Sequence, residues 1–127
     1  MNEALAFVAC INRQDVESLL RLMTSDHAFI DTVGVRTEGR DAMRGAWEGY
    51  FKFFPDYRIE VGEMVERGDR VNFEGVSAGS QSPHGWEVLG SGSYQGPALW
   101  SARVIGGLVA EWRVYPDTPE QRAELGL

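Results

Sequence analysis

Few side chains in this sequence are placed to move a proton. Asp31 closes a short run, Asp26-His27-Ala28-Phe29-Ile30-Asp31, whose alternation predicts a strand with His27, Phe29 and Asp31 on one face. A carboxylate and an imidazole on one strand face are the parts of a general acid/base site. Apolar surroundings, which Phe29, Trp47 and Trp100 can supply, would lift a carboxyl from about 3.9 toward neutrality, where it abstracts protons well. The competing reading has Asp31 only accept hydrogen bonds from indole or backbone N–H groups at a strand end. His27 can orient a substrate or share the proton of Asp31, although a lone histidine at a strand start is more often a structural residue.

Other chemistries find no support. The histidines are His27 and His84, the cysteine is Cys10, and no zinc or EF-hand spacing occurs, so neither a metal nor a cofactor is expected. Gly90-Ser91-Gly92-Ser93 lacks a basic residue to hold phosphate and reads as a loop. His84-Gly85-Trp86 lies in the same long connection, about residues 80–96, and reads either as a lid over a pocket mouth or as a disordered tip. Phe7, Phe29, Trp47, Tyr50, Trp100 and Trp112 are candidate pocket walls that double as core.

The elements that must position these residues follow from periodicity. Ala4, Phe7, Val8 and Ile11 lie at helical spacing, and Val16, Leu19, Leu20 and Met23 repeat it after a break in which Asp15 is an expected N-cap. Residues 40–54 form the strongest helix, with Met43, Trp47, Tyr50, Phe51 and Phe54 as a broad apolar stripe that Pro55 ends. Residues 57–67 and 70–79 flank a Gly68-Asp69 turn, and residues 97–105 and 108–115 flank Gly106-Gly107, giving two hairpins. Alternation loses phase at Gly62 and at Gly75, which a two-residue turn at Gly68-Asp69 would set opposite each other. Such breaks suit a sharply bent sheet. The expected fold class is therefore α+β: a cone-shaped α+β barrel with N-terminal helices packed on a strongly curved antiparallel sheet, one domain over residues 1–127.

Composition bounds the partners. With 43% hydrophobic, 11% aromatic and 24% charged residues the chain is ordinary globular protein, and a formal charge of −7 without a basic cluster argues against nucleic acid. No apolar run is long enough for a membrane span, and the start of the chain lacks the basic segment of a signal peptide. With one cysteine, no disulfide can form within the chain. A cytoplasmic protein is expected.

The order of elements, together with FVACINRQD, DHAFIDTVG, EGRDAMRGAW and GGLVAEWRVYPD, resembles the SnoaL-like branch of the nuclear transport factor 2-like superfamily, relatives of ketosteroid isomerase and limonene-epoxide hydrolase with a cystatin-like fold. The resemblance implies a small-molecule pocket. It sets Asp31 where ketosteroid isomerase holds its general base, Phe7 where that enzyme has an oxyanion-hole tyrosine, and Trp100 where it has a protonated aspartic acid. Limonene-epoxide hydrolase carries a catalytic carboxylate where this chain has Val114, and an Arg and Asp where it has Gly75 and Ser77. Two classes stay open: an isomerase or cyclase in which Asp31 shuttles a proton on a flat apolar carbonyl compound, or a binding or dimerisation module.

The resemblance also asks that Trp100, Trp112 and Val114 all face the cone, whereas a strict turn at Gly106-Gly107 sets Trp100 opposite Arg113. A bulge near the glycines is therefore expected. Outside, apolar residues including part of the Leu99, Ile105 and Leu108 set would leave a sheet face for a second subunit, so a two-fold homodimer is expected.

Overall fold

The computed structural model describes residues 1–80 and 93–127. Helix α1 (Asn2–Asn12) buries Ala4, Phe7, Val8 and Ile11 along one stripe. It ends where Gln14 takes a positive φ of 58°, and its last side chain, Asn12, ties the helix to the sheet by pairing with both the N–H and the C=O of Ile59. Helix α2 (Val16–Arg21) starts on the expected cap: the Asp15 carboxylate accepts from the Ser18 N–H at 3.1 Å and the Ser18 hydroxyl at 2.6 Å. Those two bonds hold the Asp15 carboxyl below the usual carboxylate range. The helix is shorter than its periodicity suggests, because Met23 already begins strand β1 (Met23–Ile30).

Strand β2 (Arg36–Glu38) follows, then α3 (Arg40–Phe53), the longest helix among the described residues, which buries Met43, Trp47 and Phe51. Strands β3 (Arg58–Arg67), β4 (Arg70–Ser80), β5 (Ser93–Ile105) and β6 (Leu108–Pro116) complete one sheet in the order β2-β1-β6-β5-β4-β3. Every neighbouring pair is antiparallel except β1 with β6, which run parallel. Local pattern cannot reveal that pairing: a parallel partner needs a long crossover, and here the crossover is most of the chain. Strand β2 was equally hidden, since three residues carry no readable alternation.

The bend in the sheet has a definite origin. In β3 the partner sum slips by one between Val61 and Met64, so Gly62 and Glu63 together oppose Glu74, whereas β4 pairs with β5 without interruption from Arg70 to Ser80. Gly75 therefore faces Val61, not Gly62 as a uniform hairpin would have it. The bulge lies in β3 alone, and it tightens the twist there.

A C-terminal helix, α4 (Pro119–Leu125), was not anticipated from periodicity, although its ends are spelled out: Thr118 caps it by accepting from the Gln121 N–H, Pro119 enters its first turn, and Gly126 closes it with φ 79°. It lies on the convex side of the sheet. Asn72 donates to Leu125 O, Arg67 donates to Glu124 O, and Arg122 grips Asp117 and Glu74. Leu99, of the apolar set considered for this side, is 0% exposed. More of the same side is charged, with Glu111 bridging Arg36 and Arg70. The apolar face expected for a second subunit thus shrinks to the hairpin tip, where Ile105 is exposed and Leu108 half-buried. Among the described residues no helix is long and apolar enough to cross a membrane. The expected lid at His84-Gly85-Trp86 lies outside the described residues.

Candidate functional site

Between α3 and the concave side of the sheet lies a cavity of about 700 Å³. Its helical wall is Met43, Ala46, Trp47 and Tyr50, one face of α3. Opposite stand Phe29, Trp112, Val114 and Trp100 from three strands, a wall that depends on the β5–β6 register. Val104 pairs with Val109 but Arg103 with Glu111, so Ala110 is an extra residue in β6. This is the expected bulge. It brings Trp100 opposite Val114 and Ala102 opposite Trp112, and sends Arg113 to the convex side, where its guanidinium lies 4.6 Å over the Tyr115 ring.

Aromatic edges and faces hold the walls rigid. Trp47 meets Phe29 and Tyr50 edge-on at 6.0 Å, and Tyr50 meets Tyr57 edge-on at 4.9 Å. Trp100 stacks nearly parallel on Phe73 at 5.2 Å. Such pairs add roughly 0.5–1.5 kcal/mol each beyond their buried area and fix ring orientation. The indole N–H groups of Trp47 and Trp100 are both buried and donate to none of the described residues.

Asp31 borders the cavity at the end of β1, half-buried beside Thr32 and Thr37. Its Oδ1 accepts from the N–H groups of Val33 (3.0 Å) and Val35 (2.9 Å), and its own N–H donates to Val35 O. This carboxylate therefore shapes the turn into β2. Oδ2 bonds to none of the described residues and is the oxygen available to a ligand.

His27 is elsewhere. Its ring is wholly buried, stacked 5.8 Å from Phe7, which packs in turn 4.5 Å from Trp112. Nδ1 lies 2.7 Å from Val109 O, and because a carbonyl only accepts, Nδ1 carries the hydrogen while Nε2 stays buried without a partner among the described residues. Burial pushes the imidazole pKa down, against weaker upward pulls from the Val109 carbonyl, Glu111 and Asp26. Four residues at 3.3 Å each separate His27 from Asp31 by about 13 Å along the strand, beyond a hydrogen bond or a single bridging water. The expected sharing of a proton between them does not hold. Phe7 and His27 belong to the core under α1, whereas Phe29, Asp31, Trp47, Tyr50, Trp100 and Trp112 meet at the cavity.

Several lining residues escaped the sequence reading: Thr37, Tyr57, Ser77, Gly96 and Ala98. A signal for some of them existed. The loss of apolar alternation after Gly75 marks no bulge in β4, whose inward row runs Val71, Phe73, Gly75, Ser77 without a shift. Large side chains stop there because the cavity begins there. Among the described residues no group of His, Cys, Asp and Glu is arranged to hold a metal ion.

Residues 4–112 match the model of the SnoaL-like domain. The chain belongs to the SnoaL-like family. It shares the α+β cystatin-like fold of the nuclear transport factor 2-like, ketosteroid isomerase-like superfamily. A cystatin-fold protein from Novosphingobium aromaticivorans superposes with a TM-score of 0.78 at 18% identity, over 89% of this chain and 94% of that one. A protein with a ketosteroid isomerase-like fold from Catenulispora acidiphila, solved in complex with trimethylamine, gives 0.76 at 18% identity, over 98% and 92%. IdmH from Streptomyces antibioticus, a candidate polyketide cyclase, gives 0.75 at 24% identity, over 99% and 97%. At these identities the likeness speaks for the fold alone. No curated protein matches the sequence.

Proposed function

We propose that this SnoaL-like chain binds a small, flat, largely apolar carbonyl compound between α3 and the sheet, and acts on it as an isomerase or cyclase with Asp31 as the proton carrier. One observation carries the reading: Asp31 is the only carboxylate among the described residues that line a largely apolar cavity. The description of IdmH as a candidate polyketide cyclase is consistent with it. Oδ2 takes a proton from the carbon beside the carbonyl and leaves an enolate. In an isomerisation the same proton returns to a different carbon. In an aldol-type closure the enolate carbon bonds to a second carbonyl carbon, whose oxygen then takes the proton from Asp31, so the carboxylate is regenerated.

A second reading, a binding module without chemistry, draws on the engagement of Oδ1 in the β1–β2 turn and on the placement of Phe7 in the core, away from any developing oxyanion. One variant separates the two. Steroid enones, aromatic polyketides and aromatic acids are screened by thermal shift, and the best ligand is followed by NMR in D2O for deuterium entering beside its carbonyl. Asp31→Asn should retain binding and abolish exchange. Unchanged exchange in Asp31→Asn assigns the proton transfer to another group, and a wild type that binds the ligand without accelerating exchange leaves only the binding module.

Self-association and location complete the proposal. A two-fold dimer has to use what α4 leaves uncovered, including Ile105 and Leu108, and light scattering showing a monomer at micromolar concentration removes it. A single buried cysteine, whose thiol burial pushes up and keeps unreactive, fits the reducing cytoplasm.

A further inference from the structure

The floor of the cavity changes character across the sheet. Under Trp47 it is made of large rings, Trp100, Trp112 and Phe29. Toward the β3 side the inward row carries Gly75, Ser77, Gly96 and Ala98, and three of these, Ser77, Gly96 and Ala98, border the open space. Gly96 pairs with Ser77 across β4 and β5, and a Cβ placed on it would meet no described atom within 4 Å. Sequence alone offers no reason for this thinning, since the strands on either side are well paired and continuous. A plate-shaped molecule could lie against the backbone here as it could not against Trp100.

One polar side chain stands on that floor. The Ser77 hydroxyl is half-buried, faces inward by its place in the row, and makes no hydrogen bond with the described residues. Asp31 Oδ2 is the corresponding open group at the β1 end. In the sheet order, β1 and β4 are three strand spacings apart, about 14 Å along the surface at 4.8 Å each, and less across the concave side. Between the two ends the lining is mostly aromatic and aliphatic.

We propose that Ser77, set in a floor of small residues, is a second polar subsite opposite Asp31, so that the cavity takes a flat ring system bearing a hydrogen-bonding group at each end. A hydroxyl at one end donates to Asp31 Oδ2, the acceptor-only carboxylate; the group at the other end exchanges a hydrogen bond with Ser77, which both donates and accepts. The apolar middle is held by Trp47, Trp100 and Val114. The inference rests on the reading of the cavity as a small-molecule site and adds the shape and polarity of what fills it.

The test uses two probes, naphthalene-2,6-diol and 2-naphthol, with binding followed by tryptophan fluorescence and calorimetry on the full chain. The single hydroxyl of 2-naphthol goes to Asp31, because a hydrogen bond to a charged group is stronger than one to a neutral hydroxyl. Wild type should therefore bind the diol more tightly, by roughly three- to tenfold, the range that one neutral hydrogen bond supports. Ser77→Ala should erase that difference and leave 2-naphthol unaffected. Gly96→Leu, which fills the floor without a backbone penalty, should abolish binding of both with the melting temperature unchanged. If Ser77→Ala leaves the diol's advantage intact while Gly96→Leu still blocks, the subsite is overturned and the cavity reading stands. Binding that survives Gly96→Leu, or no binding of either probe to wild type at millimolar concentration, overturns both.

Discussion

The indole of Trp100 lies over Gly75: its Cζ3 is 3.2 Å from where a Cβ on Gly75 would stand, and the same Cβ would stand 2.3 Å from Glu60 O. The β3 bulge draws the Glu60 carbonyl under β4, and only a residue without a side chain lets the strands approach this closely. Bend and cavity wall are thus coupled at one position. Gly75→Ala must push β3 and Trp100 apart, and overpacking of this kind costs about 1–3 kcal/mol. Chemical denaturation should show that loss, whereas Gly96→Ala, with open space around its Cβ, should stay within about 0.5 kcal/mol of wild type. Equal stability of the two variants would defeat this account of the bend.

Gly75 and its neighbour in the bend, Gly62, also show what the sequence could and could not disclose. Both hairpins, α1 and the long helix were legible because each repeats a period over ten or more residues and ends on Gly, Asp or Pro. Gly62 and Gly75 were readable as breaks, but not which strand holds the extra residue, because that depends on pairing with a partner far along the chain. For the same reason the β1–β6 parallel contact was hidden. At the site, Asp31 and the tryptophans were legible as side chains facing one way. The 13 Å between His27 and Asp31 was not, since alternation gives a face and says nothing of which helix covers each part of it.

Helix α4 packs against β5, the strand that carries Leu99, and supplies the acceptor for Asn72 Nδ2, so a chain ending at Pro116 should self-associate. Truncation re-exposes a leucine whose burial is worth about 2 kcal/mol and strips Asn72 Nδ2 of the Leu125 carbonyl. Light scattering should report a larger species and calorimetry a lower Tm. The milder Arg122→Ala, which only loosens the grip on Asp117 and Glu74, should leave the assembly state as it is. A truncated chain that is as stable and no more associated than the full one would mean that α4 merely decorates the sheet.

His27 makes stability depend on pH in a defined window. The fold favours its neutral form, so its pKa in the folded chain lies below the ordinary value of about 6.5, and the unfolded chain takes up the proton first. Stability is then full above about pH 6.5 and falls as pH drops below it toward the folded pKa, by at most about 1.4 kcal/mol per pH unit. The charges of Glu111 on β6 and Asp26 on its own strand oppose the desolvation only in part. Asp15, Asp56, Asp69 and Asp117, whose pKa values are lowered by hydrogen bonds, give up their contributions only below about pH 4. Melting temperatures from pH 7 to 5 should therefore decline in wild type and run flatter in His27→Asn, which keeps a donor for Val109 O but does not titrate. Parallel curves would show that another group carries the slope.

Asp31 serves the turn through Oδ1 and the cavity through Oδ2, and two substitutions divide these roles. Asparagine keeps an oxygen for the Val33 and Val35 N–H groups, so Asp31→Asn should retain stability to within about 0.5 kcal/mol. Alanine leaves both N–H groups to water, because Val33 and Val35 are exposed, and the loss of two such bonds costs about 1–2 kcal/mol. If Asp31 is the proton carrier, the two variants lose deuterium exchange into a bound carbonyl compound equally while differing in stability. If its work is only the turn, Asp31→Asn behaves as wild type in ligand affinity and melting, and Asp31→Ala weakens both together. Exchange that persists in Asp31→Asn assigns the proton transfer to another group, and a destabilised Asp31→Asn contradicts the hydrogen-bond geometry on which this division rests.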